Sequence, residues 1–211
     1  MIGATGYTRY PAVRRIPRIG IVIGSTREGR FSEKPAQWIA TLAAARKDCS
    51  FEVVDLRDHP MPFFNEASAP VWGMTKDASA VRWGSVLERL DGLIVITPEY
   101  NHGPSAVLKN ALDYAYRQLN RKPIGFVGYG GVGGARAIEH LRLVSIELQM
   151  IPVRPAVHIA MAEFMGISQQ GKDFESYPHL DQAANAVLDH VTWWAHLLTP
   201  ERRASEQHLP G

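Results

Sequence analysis

Cysteine is nearly absent from this chain: Cys49 is the only one among 211 residues, so no disulfide can form within it. This usage suits a reducing compartment, and we expect a cytoplasmic protein. Long apolar runs are also missing, since the run Gly92–Thr97 is far shorter than the ~20 residues that a membrane-spanning helix needs. We therefore expect no membrane partner and no metal site.

The chain also lacks a large excess of either positive or negative charge. The 23 basic and 21 acidic residues leave a formal net charge of +2, and no segment carries a basic stripe. This balance argues against a dedicated nucleic-acid-binding protein. The 45% of hydrophobic residues is ordinary for a globular protein, and the length fits one domain.

Short apolar runs alternate with longer amphipathic stretches along the chain. Strands alternating with helices predict right-handed crossovers, and hence an α/β fold with a parallel five-stranded sheet covered by helices on both faces. In such sheets ligands bind beyond the carboxyl ends of the strands. The expected strands are 18–24, 51–56, 92–96, 123–128 and 153–159, and the expected helices are 35–46, 76–90, 105–119, 135–149 and 180–198.

The domain boundaries follow from composition. We expect one domain over residues 18–200, a flexible extension over 1–17 and a flexible tail over 201–211. The glycine, proline and arginine content of 1–17 is typical of a loose extension or of an expression tag. The proline-containing stretch 57–75 is expected to be a long loop, of a length that often serves as a lid.

The loop after the first strand combines hydroxyls, guanidinium groups and a following helix. A helix amino terminus favours a phosphate, and arginine binds its oxygens in a forked geometry. Arg30 and Phe31 stand where a nucleoside-triphosphate loop requires Lys and Ser or Thr, so that motif is excluded. The alternative is a capped surface loop. The candidate phosphate-binding residues are Ser25, Thr26, Arg27, Arg30 and Ser32.

The loop after the third strand, Thr97–Pro104, has a proline near each end, which restrains its backbone. Such a turn can direct peptide groups at a planar ligand, and Tyr100 offers a ring to lie beside it. His102 is a candidate acid or base, although a lone loop histidine is more often solvated, so we assign no catalytic side chain. The candidate ring-binding residues are Pro98, Glu99, Tyr100 and Asn101.

The loop after the fourth strand, Gly128–Gly134, contains five glycines in seven residues, which lets the backbone approach a ligand closely. It satisfies the GxGxxG pattern of dinucleotide-binding folds. A dinucleotide-binding loop is the weaker interpretation, because this loop follows the fourth strand instead of the first and no acidic residue ends the next strand. The candidates for binding the edge of a ring are Tyr129, Gly130 and Gly131.

With these three loops in order, the chain resembles the NAD(P)H-dependent FMN reductase family of the flavodoxin-like superfamily. The most specific segments are Thr97–Asn101 and Leu108–Asp113, and the similarity covers about Ile19–Val157. It implies a flavodoxin-like three-layer sandwich with strand order 2-1-3-4-5. It also implies one FMN per subunit, with its phosphate on the first loop, its ring against Pro98–Asn101 and its pyrimidine edge near Tyr129–Gly131.

The resemblance implies an oxidoreductase in which NAD(P)H reduces FMN, and FMN passes the electrons to a small acceptor: a quinone, an azo compound, a metal ion or a flavin. The aromatic residues Phe63, Phe64 and Trp72 of the long loop are candidates for the acceptor side or for the core. Two alternatives stay open, a flavodoxin-type electron carrier without NAD(P)H turnover and a non-enzymatic nucleotide-binding module.

Family members are typically dimers or tetramers, and we expect a homodimer or homotetramer here. Tyr114 and Tyr116 are candidates for an interface. Trp193 and Trp194 are adjacent on the last helix and cannot both face the core, so one of them is a further candidate.

Overall fold

The computed structural model describes residues 16–73 and 75–206. Strands and helices alternate along the chain up to the fifth strand, which two helices follow, and 3₁₀ turns lie at Leu56–Asp58 and Phe174–Ser176. The strands are β1 (Arg18–Ile23), β2 (Ser50–Asp55), β3 (Gly92–Pro98), β4 (Pro123–Tyr129) and β5 (Ile151–Ile159). The helices are α1 (Glu33–Ala44), α2 (Ala78–Glu88), α3 (Ala106–Asp113), α4 (Ala135–Glu147), α5 (Met161–Gln169) and α6 (Pro178–Glu206).

The five strands form one sheet in the order β2-β1-β3-β4-β5, and all pairings are parallel. This confirms the fold class and the strand order expected from the sequence. β3 and β4 are buried along their whole length, because helices cover both of their faces. The carboxyl ends of β1, β3 and β4 lie on one edge of the sheet, with β3 in the middle.

Two apolar cores lie on opposite faces of the sheet. On one face α1 and α6 pack against alternate residues of the strands, such as Ile21 and Ile94. On the other face α2, α3 and α4 pack against Val22 and Val95. This alternation is the period-2 pattern of a strand buried on both sides, and it produces the expected three layers.

Three helices differ from the expected pattern. The prediction of a helix over 105–119 is wrong after Asp113, where turns follow, because the buried Tyr114, Ala115 and Leu119 imitate helical spacing. The helix α5 was missed. It contains Gly166, which lowers helix propensity, and a Cβ there would lie 2.0 Å from the Tyr177 hydroxyl, so this glycine permits close packing.

The last helix is longer than expected. We expect the domain to end at residue 200 and a tail to follow over 201–211, whereas α6 continues through Pro200 to Glu206. A proline inside a helix is unfavourable, which is why the sequence indicated an end there. Ion pairs from Arg202 and Arg203 to the buried Asp91 hold the final turn against the sheet.

The amino-terminal boundary lies at the edge of the described residues. Pro17 already joins the sheet, since its carbonyl accepts a hydrogen bond of 2.9 Å from the Ser50 amide. The expected extension over 1–15 and the tail over 207–211 lie outside the described residues. In the described part of the chain, no helix is both long and apolar enough to cross a membrane.

Candidate functional site

The loops after β1, β3 and β4 meet at one edge of the sheet, as the sequence predicted. The hydroxyls of Ser25 and Tyr100 lie 3.3 Å apart and join the first loop to the second. The amide of Glu99 donates to the Tyr129 carbonyl at 3.1 Å and joins the second loop to the third. These contacts bring the predicted phosphate loop and both predicted ring loops into a single site.

The loop after β1 leads directly into α1. Ser25 is buried, whereas Thr26 and Arg27 are exposed, and the Arg27 guanidinium forms no ion pair within the described residues. Ser32 occupies the N-cap position of α1 but adopts helical backbone angles, and its side chain makes no capping hydrogen bond. The Lys34 amide donates to the Phe31 carbonyl at 3.0 Å and Pro35 has no N–H, so the Glu33 amide and the Ser32 hydroxyl remain for another partner.

Arg30, which the sequence predicts to bind phosphate, is engaged by acidic side chains of this chain. Its side chain is only 2% exposed, and it donates to both carboxylate oxygens of Asp55 and, at 3.0 Å, to Glu33. The hydrogen bond to Asp55 is the main reason that the pKa of Arg30 is raised. The guanidinium is therefore engaged below the loop, because a buried charge needs partners of its own.

Arg30 and Arg57 both bind carbonyl oxygens of the loop. Arg30 donates to the Ser25 carbonyl, while Arg57 donates to the Thr26 carbonyl at 3.4 Å and to the Arg27 carbonyl at 2.6 Å. In a trans peptide the N–H points away from the C=O. Since the carbonyls face the two arginines, the amides that follow them face the opposite side of the loop, where the Arg27 amide donates to the Ser25 hydroxyl at 3.4 Å and those of Thr26 and Glu28 can bind an anion.

The loop after β3 contains a tight turn over Tyr100–Gly103. The two end residues exchange backbone hydrogen bonds of 2.9 and 3.0 Å, and the central residues Asn101 and His102 have φ values of 48° and 74°. Two successive positive φ values are typical of a type I′ turn and are unfavourable for residues other than glycine. The turn fixes the direction of the Tyr100 ring, which is 36% exposed beside the first loop.

Glu99 contacts α4 with its side chain. The carboxylate, which is 4% exposed, accepts from the Arg136 amide at 3.0 Å and from the Arg136 guanidinium. Burial alone raises the pKa of Glu99, but the Arg136 hydrogen bonds outweigh it and lower the pKa. Because α4 begins after Gly134, which has no side chain to cap it, Glu99 serves as the cap from another loop. Its side chain thus positions the two loops.

The loop after β4 presents its backbone to solvent at Gly131, where a Cβ would meet only the Met161 methyl at 3.8 Å. Gly130 has a φ of 138° and donates to the Ile159 carbonyl at 3.2 Å. Tyr129 differs from the expected picture, since its side chain is 5% exposed and lies in the core below the first loop. Burial raises the pKa of Tyr129 to about 12, although the nearby Ser32 and Ser25 hydroxyls oppose the shift.

Sequence reasoning missed several residues that shape the site. Ser105 caps α3 and donates to the Gly24 carbonyl, and its position before an amphipathic run could have identified it as an N-cap. Asp55 is the last residue of β2 and lies at the edge of the sheet where ligands bind. Its position at the end of a strand could have identified it as a residue of the site. Neither Arg57 nor Arg136 follows a recognisable motif, so the sequence carries no signal for them.

A phosphate monoester fits the residues present. The helix terminus, the exposed Arg27 and the hydroxyls of Ser25 and Ser32 provide donors and positive charge. Two hydroxyls here, those of Ser32 and Tyr129, are buried without a hydrogen-bond partner in the described residues. Such groups are rare in folded proteins and point to a missing ligand or water. In the described part of the chain, no group of three or more His, Cys, Asp or Glu residues could hold a metal ion.

Comparison with solved structures supports the fold. The flavoenzyme NAD(P)H:(acceptor) oxidoreductase FerB from Paracoccus denitrificans has a TM-score of 0.67, with 21% identity over 87% of this chain and 99% of that one. An NADH:FMN oxidoreductase, EmoB, in its apo form has a TM-score of 0.61 over 84% of this chain and 89% of that one, at 21% identity.

Comparison of sequences is more specific. An NAD(P)H-dependent FMN reductase of Schizosaccharomyces pombe is 34% identical over 146 residues, which are 67% of this chain and 72% of the relative. A quinone reductase of Escherichia coli is 30% identical over 179 residues, or 81% of this chain and 87% of the relative. The family model for NADPH-dependent FMN reductase matches residues 17–164, which include all three loops. The chain therefore belongs to the NADPH-dependent FMN reductase family.

Proposed function

We propose that this protein binds FMN across the loops after β1, β3 and β4, reduces it with NAD(P)H and delivers the electrons to a quinone. The meeting of the three loops, joined by the Ser25–Tyr100 and Glu99–Tyr129 contacts, carries this proposal. Bound FMN supplies the hydride chemistry, so the protein needs to position and shield its ligands and needs no acid or base of its own.

Some side chains of the site contact FMN, and others hold the loops in position. Ser25, Thr26, Arg27 and Ser32 bind the phosphate together with the Glu33 amide at the start of α1. Tyr100 and its neighbours Pro98 and Asn101 lie against the ring, and the backbone of Gly130 and Gly131 faces the pyrimidine edge. The residues that position these loops are Arg30, Asp55, Arg57, Glu99 and Arg136.

The long loop forms the acceptor side. Its segment Pro62–Phe64 is fixed to α3, because Asn110 accepts from the Phe64 amide and donates to the Pro62 carbonyl, both at 2.8 Å. Phe63 and Trp72 are 78% and 82% exposed, so their rings are available to a planar acceptor. A quinone is favoured over the other acceptor classes because relatives at 30–32% identity are named as reductases of quinones.

We also propose a homodimer or homotetramer located in the cytoplasm, where NAD(P)H is supplied. Large exposed apolar side chains on two helices support association, since such patches often mark interfaces. Trp193 on α6 is 60% exposed, whereas Trp194 is partly buried, and Leu143 and Ile146 on α4 are 70% and 62% exposed. Tyr114 is buried and does not serve an interface of this kind.

Anaerobic stopped-flow spectroscopy tests the function. The protein reconstituted with FMN is mixed with NADH or NADPH, and bleaching of the flavin absorbance is expected with at least one of them. The reduced protein is then mixed with a benzoquinone, an azo dye, ferric citrate or free FMN, and the fastest reoxidation is expected with the quinone. Stable FMN binding without bleaching would instead indicate an electron carrier, and failure to bind FMN would indicate a non-enzymatic module.

A further inference from the structure

His102, in the turn after β3, contacts Arg136 in the first turn of α4. The Nε2 atom of the imidazole lies 2.7 Å from the Nη1 atom of the guanidinium. A guanidinium carries only N–H donors and stays protonated in proteins, so the imidazole Nε2 has to be the acceptor. The ring proton therefore resides on Nδ1, and the imidazole is neutral.

Glu99 fixes Arg136 in the position from which it binds the imidazole. The Glu99 carboxylate, which is 4% exposed, accepts from the Arg136 amide and guanidinium, so the arginine cannot swing away without leaving a buried charge unpaired. The three side chains form one hydrogen-bonded chain from the buried carboxylate to the exposed ring. The Nδ1–H group of His102 has no partner in the part of the chain that the structure describes, and it is available to a ligand.

The backbone at His102 is unfavourable for this residue type. Its φ is 74° and follows a φ of 48° at Asn101, whereas a type I′ turn prefers asparagine followed by glycine. Histidine in the second position therefore lowers stability relative to glycine. Backbone strain of this kind is concentrated at functional sites. The histidine here indicates a role for the imidazole beyond the turn itself.

The place of the imidazole in the site indicates the ligand. The same turn carries Tyr100, whose ring is 36% exposed, and Arg136 follows directly on the glycine loop after β4. His102 thus lies at the solvent-exposed rim between the two loops assigned to the flavin ring. The charge of Arg136 is already matched by Glu99, so the group offered at this rim is a neutral N–H donor. Such a donor suits a carbonyl oxygen, and a quinone carries one at the edge of its ring.

We propose that the His102 Nδ1–H group donates a hydrogen bond to a carbonyl oxygen of the quinone and that Arg136 positions this donor by fixing the tautomer. His102 is then a substrate-binding residue that selects acceptors with a carbonyl group. Its proton stays on the ring, so no acid or base step is required of it. The inference rests on the proposed function, because it requires a quinone beside bound FMN.

The test measures the affinity of the oxidised, FMN-loaded protein for menadione and for naphthalene from the perturbation of the flavin absorbance. The oxidised flavin has no electrons to deliver, so binding is observed without turnover. His102→Ala is expected to weaken menadione binding about 3- to 10-fold, as loss of one hydrogen bond does, and to leave binding of naphthalene, which has no carbonyl oxygen, unchanged. His102→Asn is expected to restore most of the affinity, because the amide of asparagine can donate from near the position of Nδ1. His190→Ala, at an exposed histidine of α6, is the matched control and should change neither affinity.

Two measurements without any acceptor test the positioning and the folding. In ¹⁵N-edited spectra, the His102 imidazole is expected to show a protonated Nδ1 and an unprotonated Nε2. Arg136→Lys keeps the charge and the backbone amide for Glu99 but loses the planar donor group, so both tautomers should become visible. His102→Gly is expected to melt at or above the temperature of wild type, since it supplies the glycine that the turn prefers, and to weaken menadione binding as much as His102→Ala does. A histidine with a purely structural role would give a lower melting temperature.

The outcomes separate this inference from the proposed function. Unchanged menadione affinity in His102→Ala, equal losses for menadione and naphthalene, or a proton on Nε2 overturns the inference even if NAD(P)H bleaches the flavin. A loss of NADP⁺ or NAD⁺ affinity in place of menadione affinity also overturns it, because the donor would then serve the nicotinamide. A loss confined to menadione supports the inference even if no bleaching occurs, in which case only the reductase proposal fails. Absence of menadione binding by FMN-loaded wild type overturns both this inference and the choice of a quinone.

Discussion

Arg30 and Asp55 form a forked pair in which the guanidinium donates to both carboxylate oxygens, one of them at 2.7 Å. The pair joins the first loop to the end of β2, and the same guanidinium holds the Ser25 carbonyl. A pair with one buried member contributes little net stability, but removal of Asp55 leaves the buried Arg30 with only the exposed Glu33 as an ion-pair partner. The pair therefore controls the loop conformation on which phosphate binding depends.

Asp55→Asn is expected to lower the free energy of unfolding by up to about 3 kcal/mol, because the buried Arg30 guanidinium loses its forked carboxylate and keeps only the exposed Glu33 as an ion-pair partner. FMN affinity is expected to fall as well, since the Ser25 carbonyl is no longer held. Urea denaturation and fluorescence titration measure the two effects. Asp58→Asn is the control: this exposed residue lies three positions further on, and its substitution should change neither quantity.

The pH dependence of the same pair follows from the pKa of Asp55. Burial alone would raise this pKa, but the hydrogen bonds from Arg30 and from the Arg57 amide together lower it below the ordinary 3.8. A carboxylate with a lowered folded-state pKa stabilises the protein above its unfolded-state pKa, and the contribution is lost as the pH falls through the folded-state value.

The stability difference between wild type and Asp55→Asn is therefore expected to stay constant from about pH 7 to pH 5 and to shrink below about pH 4. Denaturation curves at a series of pH values measure it. A difference that grows on acidification would contradict the assignment of the carboxylate as the stabilising form.

Asn110 fixes the long loop with both ends of its amide group. Asn110→Ala is expected to release the Pro62–Phe64 segment and to cost about 1–2 kcal/mol, since the partly buried Phe64 amide and the Pro62 carbonyl lose their partner. Hydrogen exchange at the Phe64 amide should become faster, and the KM for a quinone should rise while FMN affinity stays unchanged. Asn185→Ala, which removes an exposed hydrogen bond within α6, is the matched control. Unchanged exchange at Phe64 would contradict the role of Asn110.

The fold could be predicted because its signals are local. The β-branched run at β1 and the buried run at β3 identify strands by composition alone, and the hydroxyl, proline and glycine loops that follow them mark the binding edge. Strand order and the meeting of the loops then follow from the handedness of the crossovers and from the family resemblance.

The individual roles could not be predicted, because they depend on partners far away in the sequence. Arg30 looks like a phosphate ligand until Asp55, 25 residues further on, is placed beside it. Glu99 looks like a ligand residue until Arg136 is placed at the start of α4. Tyr129 was assigned through its backbone, and only the packing of Phe31 on its ring shows where the hydroxyl lies. The sequence gives residue types, whereas these roles depend on tertiary contacts.

Asp91 is the anchor of the carboxyl-terminal helix. It is 1% exposed, pairs with Arg202 and Arg203 and accepts from the Arg18 amide at 3.0 Å. Asp91→Ala is expected to cost about 3–5 kcal/mol and to expose the end of α6 to trypsin. Asp189→Ala removes an exposed partner of Arg46 and should cost less than about 1 kcal/mol. Equal stability losses in the two variants would show that burial of Asp91 does not matter.

Gly134 lies where the start of α4 approaches the backbone at the end of β4. Its φ is 69°, and a Cβ there would lie 2.7 Å from the Gly128 Cα and 2.8 Å from the Tyr129 amide nitrogen. Gly134→Ala therefore combines backbone strain with a clash against backbone atoms that cannot move aside, and about 3 kcal/mol or more should be lost. FMN affinity should fall too, because the clash displaces Tyr129.

Gly171→Ala separates the cost of backbone strain from the cost of the steric clash. This glycine has nearly the same φ, 70°, but no atom lies within 4 Å of the added Cβ, so only the strain of about 1–2 kcal/mol is expected, with FMN affinity unchanged. Thermal denaturation and FMN titration of both variants give the comparison. If Gly134→Ala costs no more than Gly171→Ala, the close approach between the start of α4 and the end of β4 is not what holds the Tyr129 loop in place.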